Sequence, residues 1–199
     1  MLFSALAFYG RLLFVLSLLP LLKSSTNNPR IVNLGGAGIE TSKLHLDDTD
    51  FQNPENWSIG NIAAQVATAM SLTLSRLAEE NPNVVFIFNN PGRVVTNIYN
   101  QGYGEKWFMK AFVSVMKPAM KIVALSEADA GERCLYLLTS PRFGKGEILT
   151  MIKTASGALF SINYKLEGRQ WESIMTEVQR KDAGTKFWNR MQEVLRPYL

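Results

Sequence analysis

The stretch GRLLFVLSLLPLLKSS, residues 10–25, decides how the rest of the chain is read. Its apolar run lies between Arg11 and Lys23. If the run crosses a bilayer, the protein is anchored. If it packs on strands, it is one helix of an α/β core. The run from 12 to 22 is about half of the roughly 20 residues that span a hydrocarbon core. Extending it back to residue 2 places Arg11 in mid-span, at a cost of about 3 kcal/mol. A signal peptide also fits poorly, with no basic leader region and no small-x-small cleavage site in KSSTNNP. Pro20 suits the last turns of a helix that stops before SSTNNP. A buried helix is the reading adopted, and an anchor through residues 2–22 is the alternative.

The composition fits an ordinary globular protein. Of the 199 residues, 47% are hydrophobic and 19% charged, so one domain over 1–199 is expected. The net charge of +4 comes from scattered Lys and Arg, with no stripe that would track nucleic-acid phosphates. The single cysteine, Cys134, excludes an internal disulfide and fits a reducing compartment, so a cytoplasmic protein is expected. A single histidine, His45, limits any His-based metal site or triad.

Beyond the opening helix, PRIVNLGG predicts a buried strand closed by glycines. Residues 37–56 form a polar loop. NWSIGNIAAQVATAMSLTLSRLAEENP predicts an amphipathic helix, with Ile59, Ile62, Val66, Met70, Leu74 and Leu77 on one face. Ala63, Ala64, Ala67 and Ala69 keep that helix thin. NPNVVFIF predicts a second strand and NNPGRVVT a turn. Helices are predicted over 107–123 and, from Ser126, over SEADAGERCLYLLTS. GALFSINYKLEG predicts a third strand. The tail from residue 185 predicts a helix with Phe187, Met191, Val194 and Tyr198 on one face. This alternation is that of an α/β fold with parallel strands.

Three landmarks together carry a resemblance: RLLFVLSLLPLLK…NPRIVNLGGAG, NIAAQVATAMSLTLSRLAEENPNVVFIFNNPGRVVT and SEADAGERCLYLLTS. The chain resembles the short-chain dehydrogenase/reductase family, in particular divergent fungal members related to retinol-dehydrogenase-like proteins. The PG-x-V-x-T pattern is its most specific element. The resemblance implies a partial Rossmann-like three-layer sandwich, covering the later part of the family's fold. In it the LLPLL helix lies against the sheet. The Gly-rich turn that meets a pyrophosphate would lie ahead of Met1. Gly36-Ala37-Gly38 does not replace it, because Thr41 takes the third glycine's place and no helix pattern follows. RFGKGE lacks the spacing of a phosphate-binding loop.

The resemblance also implies NAD(P)-dependent redox of a carbonyl or alcohol on a small organic substrate, in a setting such as fungal secondary metabolism. In the family a Tyr transfers the proton, a Lys four residues later lowers its pKa, and a Ser holds the substrate oxygen. Counting back from SRLAEENP puts Ala63 at the Tyr position and Ala67 at the Lys position. The Ser position falls on Gly35 or Gly36, and the family's upstream Asn falls near Arg11. No catalytic residue is therefore assigned. Pro91, Gly92, Val94 and Thr96 carry over as contacts to the nicotinamide. The alternative is a non-catalytic remnant that binds a ligand or a full-length relative, pairing through the helix around Ala63 and Leu77.

Other candidates are weaker. Asp47, Asp48 and Asp50 read as a solvated acidic loop rather than a cation site. Tyr9, Tyr99 and Tyr103 are alternative acids, Tyr103 in the region where the family has its substrate lid. Asn56-Trp57-Ser58 is a glycosylation sequon of consequence only in a secreted chain. Cys134 reads as a small core residue.

Overall fold

The computed structural model of the chain describes residues 4–94, 124–143 and 159–199. Within them the elements are α1 (Gly10–Ser24), β1 (Arg30–Leu34), α2 (Ile59–Glu80), β2 (Val85–Asn89), α3 (Glu127–Thr139), β3 (Leu159–Ile162) and α4 (Glu177–Leu195). A π-helical turn, Ala5–Tyr9, leads directly into α1. The helix predicted over 107–123, together with Thr96, Tyr99 and Tyr103, lies outside the described residues.

The three strands form one parallel sheet in the order β1-β2-β3. Ile31 lies opposite Phe86, and Phe86 opposite Leu159. Side chains alternate across a strand. Phe86, Phe88 and Leu159 therefore join the larger core, with α1, α2 and α4. Val85, Ile87, Phe160 and Ile162 join a second core, with Leu137 of α3 and Phe143. Helices thus cover both faces of a parallel sheet, which is the α/β, partial Rossmann-like arrangement expected. Central β2 is buried on both faces, and so its sequence is a continuous apolar run rather than an alternating one.

Helix α1 places Leu12, Val15 and Leu19 in the larger core, and Phe8 just before it meets Phe187 of α4 edge-to-face. The opening stretch therefore packs on protein. It is not buried all round: Phe14 and Leu21 are 72% and 70% exposed. Ala5–Ser24 is also the one helix among the described residues long and apolar enough to cross a membrane by length and composition.

Helix α2 starts after Ser58, whose side chain accepts from the Asn61 backbone N–H. Met70, Leu74 and Leu77 are buried as predicted, but Ile59 is 82% exposed. From Ala67 to Ser75 the helix is buried all round, so it is not amphipathic there. The reason is α4, which packs along α2 in the same core. Gly184 of α4 lies over Leu72, and Arg76 stacks on Trp188, along that contact. Part of the helix expected to meet a partner contacts the chain's own C-terminal helix.

Helix α4 begins earlier than the predicted residue 185. Thr176 and Gln179 form a reciprocal capping box that satisfies its first N–H groups. Phe187 and Met191 are buried as expected, with Ala183, Trp188 and Leu195 beside them. Tyr198 departs from that face and is 71% exposed. The α-helix ends at Leu195, and the chain finishes in a 3-10 turn, Arg196–Tyr198, with Pro197 inside it.

Candidate functional site

In open α/β sheets ligands bind outside the carboxyl ends of the strands. Here those ends are tied together by backbone and asparagine hydrogen bonds. The Gly35 N–H donates to the Asn89 carbonyl at 2.7 Å. Asn90 Nδ2 donates to the Ala37 carbonyl at 3.1 Å, and Asn90 Oδ1 accepts from the Gly92 N–H at 2.9 Å. Asn90 therefore fixes the turn after β2 against the glycine loop after β1.

A cavity of about 150 Å³ opens beneath this junction. Its lining includes Arg11 from α1, Gly35 and Gly36 from the end of β1, and Ala63 and Ala67 from α2. All five positions singled out in the sequence thus meet in one place. Phe88, Ile39 and Met70 complete an apolar wall. A dry apolar cavity of this size admits a small ring.

This cavity is not built to transfer a proton. Alanine and glycine carry no titratable group. Arg11 Nη1 donates to the Leu34 carbonyl and to Asn33 Oδ1, and burial pulls its pKa below the ordinary guanidinium value. There is also no room for a serine at Gly35 or Gly36, just after β1. A Cβ at Gly35 would lie 2.5 Å from the Phe88 ring, and one at Gly36 would lie 2.8 Å from Ile39 Cδ1. The arrangement can hold an apolar or planar group, but its own side chains do not supply an acid or base.

The turn itself is sterically specified. Gly92 has φ +79°, and a Cβ there would lie 2.7 Å from Tyr164 Cβ. Both conditions demand glycine. Pro91 and Val94 are half-buried on either side of it. Val94 bridges Leu125 in parallel, and the Leu125 N–H donates to the Arg93 carbonyl at 2.8 Å. Pro91, Gly92 and Val94 thus sit at the carboxyl end of β2 as expected. Thr96 lies outside the described residues.

These residues form a small, mostly apolar pocket, and the turn after β2 is tied by Asn90 to the loop that follows the pocket's glycines. They offer no pyrophosphate site. The Gly38 N–H is taken up by Glu40 Oε2 at 2.7 Å, and no α-helix starts between there and Ile59. Glu40 is itself 8% exposed and also accepts from the Ser71 hydroxyl at 2.9 Å. Burial raises its carboxyl pKa.

The remaining candidates find other employment. Tyr9 is buried and donates to Asp50 Oδ1 at 2.5 Å; burial and that carboxylate push its phenol well above the usual range. It is not an available acid. Asp50 is not solvated as expected, because it is 5% exposed and held by Arg190. Sequence reading missed this link, because its partners lie far apart in the chain. Asp48 does behave as a loop residue, accepting from the backbone N–H groups of Gln52 and Asn53 and from Asn56 Nδ2. His45 stacks edge-on with Phe51. No group of three or more metal-ligating side chains occurs among the described residues. Cys134 is half-buried rather than part of the core, and Ser58 of the sequon caps α2.

No protein-family model matches the chain. Curated relatives do match over most of it. Its relatives are fungal oxidoreductases. An NmrA-like family domain-containing oxidoreductase, notO, of an Aspergillus species is 27% identical over 188 residues, covering 91% of this chain and 53% of the relative. An oxidoreductase of Emericella nidulans is 28% identical over 207 residues, covering 96% of this chain and 60% of the relative. The short-chain dehydrogenase/reductase SAT2 of Stachybotrys chartarum is 25% identical over 199 residues, covering 92% of this chain and 54% of the relative. The chain therefore spans a little over half the length of these relatives.

Proposed function

We propose that the chain corresponds to the later part of a short-chain dehydrogenase/reductase-like sheet. It would serve NAD(P)-dependent redox of a carbonyl or alcohol on a small organic substrate, in fungal secondary metabolism. The observation that carries this reading is the cavity at the carboxyl ends of β1 and β2. There Arg11, Gly35, Gly36, Ala63 and Ala67 meet beside the Pro91-Gly92 turn. Pro91, Gly92, Val94 and Thr96 would hold the nicotinamide end. The cofactor supplies the hydride when bound. This chain's residues bind and orient the ring, and the wall of Phe88, Ile39 and Met70 excludes water.

A second reading, binding without turnover, is favoured by one feature. Ala63 and Ala67 stand where the family has its proton-transferring pair, and neither Gly35 nor Gly36 has space for a serine. A partner of the same fold would then meet α2 near Ala63, where α2 is still half-exposed. The cytoplasm is the proposed compartment for either reading.

Titration of the chain with NADPH, followed by nicotinamide fluorescence, tests both. Saturable binding at millimolar cofactor or below supports them, and its absence overturns both. If NADPH binds but is not oxidised by a panel of ketones and aldehydes, the second reading stands. Sedimentation velocity of the same sample tests pairing.

A further inference from the structure

We infer that the open edge of β1, with the exposed side of α1 beside it, is a docking site for one further strand parallel to β1. A polypeptide equivalent to the part of the fungal relatives that this chain does not match supplies that strand. The inference deepens the reading of the chain as the later part of a longer sheet, by naming the edge and the partner. The order β1-β2-β3 leaves β1 with a neighbour on one side only. The Gly35 N–H and the Pro29 carbonyl are bonded towards β2, to the Asn89 carbonyl and the Val85 N–H. Backbone groups of alternate residues point to opposite edges of a strand, so Arg30, Val32 and Leu34 turn theirs outward. The Leu34 carbonyl accepts from Arg11 Nη1. No strand pairs with Val32 on that side among the described residues. Beside this edge runs a groove of about 640 Å³, whose lining includes Phe14, Leu18 and Leu21 of α1 and Ile31 and Val32 of β1.

Handedness says what belongs there. Strands β1 and β2 are parallel neighbours joined through α2, which lies on the face of the larger core. Such crossovers are right-handed in about 98% of cases. Helix α1 lies on that same face and leads into β1. A right-handed unit that ends in α1 and β1 has its first strand parallel to β1, on the side away from β2. That side is the open edge. The relatives have the length to supply such a strand, since this chain spans 53% and 60% of two of them. The edge is also unguarded. RIVNL holds no proline or lysine, and Arg30 Nη1 is turned to the Leu137 and Ser140 carbonyls. A bilayer would cover Phe14 and Leu21 but leave the outward backbone groups of Val32 unpaired. A two-fold pair of copies would set β1 antiparallel to β1, whereas the crossover rule asks for a parallel strand.

Co-expression of the full chain with the tagged part of the Emericella nidulans oxidoreductase that it does not match tests this edge. A complex of equal stoichiometry is expected, in which the Val32 amide exchanges at least about tenfold more slowly than in the chain alone. Leu21→Glu sets a charge in the groove at a residue that is 70% exposed, and so spares the fold. It is expected to weaken the complex about tenfold or more. Val32→Pro removes the outward N–H, a change that an edge strand tolerates, and is expected to weaken the complex likewise. If the two polypeptides do not accumulate together, the same part fused ahead of residue 1 through a flexible linker keeps the exchange measurement open. Absence of both the complex and Val32 protection in the fusion overturns the site, as does equal complex formation by wild type and both variants. A chain that dimerises alone with Val32 protected assigns the edge to a second copy and also overturns it. So does flotation with phosphatidylcholine vesicles that Leu21→Glu abolishes, which assigns the groove to lipid. Each of these failures leaves the cofactor reading standing where NADPH still saturates, since that binding is measured separately.

Discussion

Arg190 grips Asp50 through two nitrogens, Nε at 2.8 Å and Nη2 at 2.6 Å, onto the same carboxylate oxygen. Tyr9 donates to the other oxygen of Asp50. One buried carboxylate thus joins the entry to α1, the loop after β1 and the C-terminal helix. Asp50→Ala leaves the buried Tyr9 phenol without its acceptor and the half-buried Arg190 guanidinium with Glu193 alone. It is expected to cost about 3 kcal/mol in urea unfolding. Asp50→Ala combined with Arg190→Ala should cost less than the sum of the two single changes.

The same latch sets an alkaline limit. The phenol of Tyr9 has a folded-state pKa above its unfolded value of about 10. Its contribution is complete below pH about 10 and is lost as pH rises towards the folded value. Stability of the wild type is therefore expected to fall above pH about 10, and Tyr9→Phe should flatten that part of the profile. Unfolding midpoints between pH 8 and 11 on both proteins provide the check, with about 10 as the onset.

Packing along α1 is asymmetric. Leu12 is fully buried and Phe14 is 72% exposed. Leu12→Ala is expected to cost about 3 kcal/mol, whereas Phe14→Ala should change stability by about 0.5 kcal/mol or less. Equal effects at the two positions would mean that α1 is not docked on the sheet.

At the strand ends, Gly35→Ser forces a side chain into the Phe88 ring. It is expected to destabilise by about 2 kcal/mol and to weaken NADPH binding, because Gly35 lines the cavity at the strand ends. Gly92→Ala should likewise destabilise and also weaken cofactor binding, because the turn must open against Tyr164.

Some of this was legible in the sequence and some was not. The strands were readable because RIVNL and VFIFN are short apolar runs closed by glycine or asparagine, and Ser126 announces α3 by its own chemistry. The positions of Ala63, Ala67, Gly35 and Arg11 came from the family resemblance, by counting back from SRLAEENP, and not from any local pattern. Burial of α2 all round was not legible, because Ser71, Thr73 and Ser75 are polar, and what covers them, such as the loop bearing Glu40 over Ser71, lies far off in sequence. The start of α4 could have been found from the T-x-x-Q capping signal at Thr176. The Tyr9–Asp50–Arg190 latch joins residues 41 and 140 positions apart, and no local pattern reports such a pair.

In the proposed function this part of the fold holds the nicotinamide end of the cofactor and not its adenine end. Saturation-transfer NMR on the chain with nicotinamide mononucleotide and, separately, with adenosine monophosphate tests it directly. The account requires transfer to the nicotinamide protons, reduced in Gly92→Ala, and little to the adenine protons. Transfer to adenine alone, or to neither fragment, would contradict it.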